Sequence, residues 1–122
     1  QPDFICVNFA NTDMVGHTGD FNAAMMAAQT VDGCVIQIVE KALSMDYRLI
    51  IIADHGNSDY MINEDGSANT AHTMNLVPCI LVGNDVNNIH LHDGRLADVA
   101  PTILWSMGIA QPDTMSGEKL VG

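Results

Sequence analysis

Five side chains of the sequence have the chemistry of metal ligands and lie beside predicted loops. They are an aspartate and a histidine four residues apart, an adjacent aspartate–histidine pair and a later histidine: Asp13, His17, Asp54, His55 and His72. Carboxylate and imidazole together suit Mn, Zn, Fe or Mg, and a set without thiolate disfavours a closed structural zinc site. Five ligands are more than one catalytic ion usually takes, so the set predicts two ions, an arrangement that serves phosphoryl transfer.

The apolar run of residues 49–53 must position the aspartate–histidine pair that follows it. A short β-branched run that stops before a glycine, here Gly56, predicts a strand covered on both faces, as in a parallel sheet. The β-rich residues 4–9 predict another strand just before Asp13 and His17. In such sheets functional groups collect beyond the carboxyl ends of the strands.

A long helix is predicted between these two strands. Apolar residues recur at helical spacing from about residue 21 to 44, and Asp20 is a credible N-cap. Strand, helix and strand then form a right-handed βαβ unit with parallel strands, which brings both ligand segments to one sheet edge. A strand over 77–83 and a helix from about 98 to 107, capped by Asp98 and stopped by Gly108, complete the predicted α/β fold.

Composition limits the functions that the chain can have. Fifteen acidic residues against four basic ones give a formal charge of −11, which disfavours nucleic acid as a partner. No membrane span or export signal is evident, so we expect a soluble, cytoplasmic protein. A hydrophobic content of 48% predicts a core, and the three cysteines are expected to be reduced residues within it. His90 and His92 are expected to be exposed loop histidines.

Three segments of the sequence resemble a known enzyme family. Residues 8–19 (NFANTDMVGHTG), 53–57 (ADHGN) and 70–73 (TAHT), the last followed by Val77-Pro78, are similar to the cofactor-independent phosphoglycerate mutases of the alkaline phosphatase superfamily. The resemblance covers the whole chain but only the carboxyl-terminal part of that enzyme. Thr12 departs from the proline often found there, and residues 57–59 also differ slightly, but neither change touches a proposed ligand.

The resemblance implies a fold and a set of metal ligands. The chain would be a single partial domain, residues 1–122, from the carboxyl-terminal half of a three-layer α/β/α domain with a mostly parallel sheet. One Mn²⁺ would bind Asp13, His17 and His72, and a second would bind Asp54 and His55. The nucleophilic serine and a further aspartate ligand would belong to an amino-terminal segment that the sequence lacks, so no catalytic residue is assigned here.

The reaction implied is the interconversion of 3-phosphoglycerate and 2-phosphoglycerate through a phosphoserine, in glycolysis and gluconeogenesis. Recognition of the substrate's phosphate and carboxylate needs cations, and none of the four basic residues lies in a metal motif. We therefore expect the isolated chain to be inactive. Two alternatives stay open: another metal-dependent phosphomutase or phosphatase of the superfamily, and a non-catalytic metal-binding or interaction module that self-associates through an exposed sheet edge.

Overall fold

The structure, a computed structural model, describes all residues from 1 to 122. Its elements in chain order are helix α1 (Asn11–Gly16), helix α2 (Phe21–Ser44), strand β1 (Leu49–Ile52), strand β2 (Cys79–Val82), a 3₁₀ turn (Leu96–Asp98) and helix α3 (Val99–Ser106). The chain divides into two compact units. The first unit comprises Gln1–Ile38 and His55–Val77, and the second comprises Val39–Asp54 and Pro78–Gly122.

Helix α2 has the limits that its apolar spacing predicts. At its start, Oδ1 of Asp20 accepts a hydrogen bond from the backbone N–H of Ala23 at 2.9 Å, as an N-cap should. At its end, Asp46 adopts the left-handed conformation with φ 61°, and the N–H of Tyr47 reaches back to the carbonyl of Ala42. This reversal closes the last turn and leads the chain into β1.

The two strands form an antiparallel pair, which differs from the predicted parallel sheet. Leu49 lies opposite Val82, and Ile52 opposite Cys79. The α/β class is confirmed, but the predicted strand at residues 4–9 is wrong for this chain, and with it the βαβ unit. A strand persists only where a neighbour satisfies its backbone groups. Residues 4–9 have no such neighbour, and the side chains of Phe4, Ile5 and Val7 are 54 to 57% exposed.

The core is much smaller than the hydrophobic content predicts. Ala24, Met61, Leu120 and Val121 are buried hydrophobic residues, and Pro101 is buried as well. Many large apolar side chains stay exposed, among them Met74 and Leu76. Cys6 and Cys79 are also exposed, contrary to expectation, and none of the three cysteines forms a disulfide. No helix combines the length and the apolar character that crossing a membrane requires.

Helix α3 begins and ends near the predicted residues, and Gly108 stops it with φ 69°. Asp98 occupies the N-cap position, but its side chain does not cap the helix. Its carboxylate instead accepts hydrogen bonds from the backbone N–H groups of Arg95 and Glu118, both at 2.9 Å. The buried hydroxyl of Thr102 receives the N–H of Leu120 at 2.8 Å, so the last residues are fastened to α3.

Candidate metal centre

Helix α1 carries Asp13, and His17 follows as its C-cap residue. A bond of 3.1 Å from the N–H of His17 to the carbonyl of Asp13 closes one helical turn. Residues four apart on a helix share a face. Accordingly, Nε2 of His17 lies 3.2 Å from Oδ1 of Asp13. The sequence prediction that these two side chains face one point is therefore matched by the geometry.

Two further histidines of the first unit come to the same carboxylate. Nε2 of His72 lies 3.1 Å from Oδ1 of Asp13 and 3.2 Å from Nε2 of His17. Nε2 of His55 lies 3.9 Å from the same carboxylate oxygen. The rings of His55 and His72 stack with their centroids 3.6 Å apart. Three imidazole nitrogens thus surround one acidic oxygen.

These separations fit a shared cation. Bonds of about 2.1 Å to one ion place neighbouring ligand atoms about 3.0 to 3.4 Å apart. The contacts that join Asp13, His17 and His72 fall within that range. A metal-sized group is also formed by Asp13, His55 and His72, whose donor atoms all lie within 4.8 Å of one another. The donor set of carboxylate oxygen and imidazole nitrogen suits a transition-metal ion.

Backbone carbonyls orient two of the imidazoles. Nδ1 of His17 lies 2.7 Å from the carbonyl oxygen of Thr70, and Nδ1 of His55 lies 3.2 Å from that of Gly56. A carbonyl only accepts, so in both rings this contact requires a proton on Nδ1, while Nε2 faces Asp13. A carbonyl partner on the outer nitrogen orients the ring, as it does for metal-binding histidines in general.

A buried asparagine joins the segments that carry the predicted ligands. Asn57 is 6% exposed, and its Nδ2 donates to the carbonyl of Ala71 at 3.3 Å. Its Oδ1 lies so close to Gly16 that a Cβ there would be 1.7 Å away. Sequence reasoning missed this role. The available signal was a polar residue directly after His55 and Gly56, in a loop that already carried chemistry.

Asp54, His90 and His92 are exposed. Asp54 belongs to the second unit, where its side chain is exposed, so its pairing with His55 around a second ion stays a prediction. His90 and His92 are exposed, as expected, and Nδ1 of His92 contacts the carbonyl of Asp93 at 2.9 Å.

Comparisons with known proteins indicate the family of the chain. The sequence profile of the metalloenzyme superfamily matches residues 1–111. The chain belongs to the metalloenzyme superfamily. It is 55% identical over 121 residues to the 2,3-bisphosphoglycerate-independent phosphoglycerate mutase of Flavobacterium johnsoniae, and 56% identical over 120 residues to that of Bacteroides thetaiotaomicron. These matches confirm the resemblance noted in the sequence.

The match covers nearly all of this superfamily member but only part of each relative. It includes 99% and 98% of the chain, against 24% and 23% of the two relatives. A solved structure of Leishmania mexicana phosphoglycerate mutase at low cobalt concentration superposes with a TM-score of 0.82 at 29% identity. It covers 94% of the chain, which corresponds to 24% of that protein. The chain therefore spans about a quarter of the length of the relatives it matches.

Proposed function

We propose that this chain is the metal-binding part of a phosphoglycerate mutase that interconverts 3-phosphoglycerate and 2-phosphoglycerate through a phosphoserine. The observation that carries the proposal is the convergence of the imidazoles of His17, His55 and His72 on the carboxylate of Asp13. The relatives named as mutases support the reaction. The parent would act in glycolysis and gluconeogenesis, in the cytoplasm, and would bind no nucleic acid or membrane.

Two Mn²⁺ ions are proposed for the complete enzyme. Asp13, His17 and His72 would hold one, and Asp54 and His55 would contribute to the other. When bound, such ions lower the pKa of a hydroxyl nucleophile and neutralise phosphoryl oxygens. The chain's own contribution is to supply the carboxylate oxygen of Asp13 and to orient the imidazoles of His17 and His55 through the carbonyls of Thr70 and Gly56.

The proposed parent domain is the three-layer α/β/α domain with a mostly parallel sheet, of which this chain is one partial domain. The TM-score of 0.82 against a phosphoglycerate mutase supports it. So do the exposed apolar side chains of Ile52 on β1 and Ile80 on β2, at 40% and 49%, which need covering. Alone, the chain is expected to self-associate through an exposed strand edge. Gel filtration at several concentrations tests this.

The contacts of the arginine side chains favour a second candidate for the isolated chain, a non-catalytic metal-binding fragment. Both Nε and Nη2 of Arg48 bond the carboxylate of Asp85, while Nη1 donates to the carbonyl of Ser106. Arg95 donates to the carbonyl of Ser116. Because these guanidinium groups serve the second unit's own structure, they are poor candidates for a phosphate clamp. We expect no turnover of 3-phosphoglycerate by the pure chain.

Titration calorimetry with Mn²⁺ tests the metal site directly. The unmodified chain should bind Mn²⁺, His72→Ala should bind it at least about tenfold more weakly, and His90→Ala should match the unmodified chain. The control removes an exposed loop histidine outside the cluster. Equal affinity in all three proteins, or no binding in any, would contradict the proposal.

A chimera tests the reaction. The 122 residues replace the matching segment of the Flavobacterium johnsoniae mutase, and conversion of 3-phosphoglycerate is followed. We expect activity that His72→Ala abolishes and His90→Ala preserves. A folded chimera that instead hydrolyses aryl phosphates, and leaves phosphoglycerate untouched, would favour a phosphatase of the same superfamily.

A further inference from the structure

Asp59 lies next to the metal centre without belonging to the predicted ligand set. Its Oδ2 accepts a hydrogen bond from Nδ2 of Asn75 at 2.6 Å and another from the hydroxyl of Thr73 at 3.0 Å. The Asn75 bond, followed by that of Thr73, lowers the pKa of Asp59 below its ordinary value. The charged carboxylate is therefore hydrogen-bonded to the segment that follows His72.

That segment is also joined to the residue after His55. The N–H of Thr73 donates to the carbonyl of Gly56 at 2.7 Å, which forms an isolated antiparallel bridge. A Cβ at Gly56 would lie 2.0 Å from Oγ1 of Thr73 and 2.7 Å from Oδ1 of Asp59. The three residues pack this closely only because position 56 has no side chain. The bridge and the Asp59 carboxylate thus both hold Thr73 in place.

The neighbours of this bridge are the two stacked histidines. His55 precedes Gly56, and His72 precedes Thr73, so the bridge sets the separation between the two imidazoles. We infer that Asp59 is a positioning residue: by holding Thr73 against Gly56 it fixes His72 beside His55, and so preorganises the metal centre. This inference rests on the proposed metal-binding function and adds a residue that acts through others without touching the ion.

The inference has a matched control in the same unit. Asp65 is likewise an exposed carboxylate of the first unit, whose Oδ1 accepts bonds from the N–H and the hydroxyl of Ser67. Those bonds lie within its own turn and contact neither histidine segment. Asp59→Ala and Asp65→Ala therefore change the net charge equally. Only Asp59→Ala releases Thr73.

The experiment combines Mn²⁺ calorimetry with amide hydrogen exchange of the metal-free chain. Loss of outer-shell support typically weakens metal binding 10- to 100-fold. We expect Asp59→Ala to weaken Mn²⁺ binding at least about tenfold and to speed exchange of the Thr73 amide. Asp65→Ala should do neither. Thr73→Val should reproduce the weakening, and the double variant Asp59→Ala/Thr73→Val should add little to it, because both act through one contact.

The outcomes separate this inference from the metal site itself. If Asp59→Ala binds Mn²⁺ as tightly as Asp65→Ala, or if Thr73→Val has no effect, Asp59 acts at most as a remote charge and the inference is overturned. If the unmodified chain binds no Mn²⁺, the proposed function fails, and exchange of the Thr73 amide still decides whether Asp59 holds the bridge. Unchanged exchange in Asp59→Ala overturns the inference on that measurement too.

Discussion

Replacing Gly16 by alanine tests whether helix α1 is seated on the loop that follows His55. The added Cβ would lie 1.7 Å from Oδ1 of Asn57 and 2.9 Å from Oγ of Ser58. Because Asn57 is buried, its amide cannot swing away without giving up the bond to the carbonyl of Ala71. The substitution therefore creates a steric clash between α1 and the loop, although a glycine-to-alanine change is usually favourable in a helix.

The magnitude follows from the contacts involved. Stranding buried hydrogen-bonding groups costs about 1–3 kcal/mol, and alanine recovers about 0.5–1 kcal/mol relative to glycine in a helix. The difference spans about 0–2.5 kcal/mol, so we expect Gly16→Ala to lower the free energy of unfolding by about 1 kcal/mol. Since Asp13 and His17 move with α1, Mn²⁺ affinity should fall at least about tenfold, as it does when ligand orientation is lost.

Gly33→Ala supplies the matched control. Gly33 lies within α2, and a Cβ built there meets nothing within 4 Å. The same chemical change should raise stability by about 0.5–1 kcal/mol and leave Mn²⁺ binding intact. Denaturant unfolding followed by circular dichroism, with calorimetry on the same samples, measures both quantities. Should Gly16→Ala behave like Gly33→Ala, the seating of α1 on Asn57 is refuted.

Three further predictions concern the second unit and the metal. Hydrogen bonds from the N–H groups of Arg95 and then Glu118 hold the pKa of Asp98 below its ordinary value of 3.8. The charged carboxylate therefore contributes its full stabilisation of the fold above that pH, and the contribution is lost as the pH falls through the lower pKa of the folded state. Asp98→Asn should therefore flatten the dependence of stability on pH below about pH 4, and unchanged acid unfolding would contradict this. Gly108→Ala should cost about 1–2 kcal/mol, because φ is 69° there while the Cβ itself meets open space; unaltered denaturant midpoints would count against it. Mn²⁺ at 100 times its dissociation constant should stabilise the chain by about 2.7 kcal/mol, an increment that EDTA removes; thermal melts with and without chelator test it.

The sequence predicted the helices much better than the sheet, and the assignment of ligands to two ions stays a prediction. Helix α2 carries its own signals, an apolar period and the cap at Asp20, and both are local. Asp13 and His17 meet because one helical turn suffices. The strand at residues 4–9 failed because a strand depends on a neighbour, and apolar β-rich composition says nothing about whether this chain supplies one.

The supporting residues of the site were harder to predict for a related reason. Asn57 and Asp59 act across segments 14 residues or more apart in sequence, through contacts with Ala71 and Thr73. The spacing of residues along the sequence does not predict such contacts. The loop after His55 was recognisable as part of a functional site. Which of its polar side chains would hold His72 in place depends on how the loops after His55 and His72 approach each other.

Helix α1 has a consequence for how ion and fold depend on each other. It is six residues long, whereas isolated helices below about 12–15 residues are marginal in water. Asp13 on the helix and His17 directly after it, one turn apart, face the proposed ion, so binding would cross-link that turn. By reciprocity, whatever unwinds the turn must weaken the ion's hold by the same free energy. Ion binding and formation of this helical turn would then stabilise each other. Because helix formation changes the far-ultraviolet circular dichroism signal, that signal would report metal occupancy.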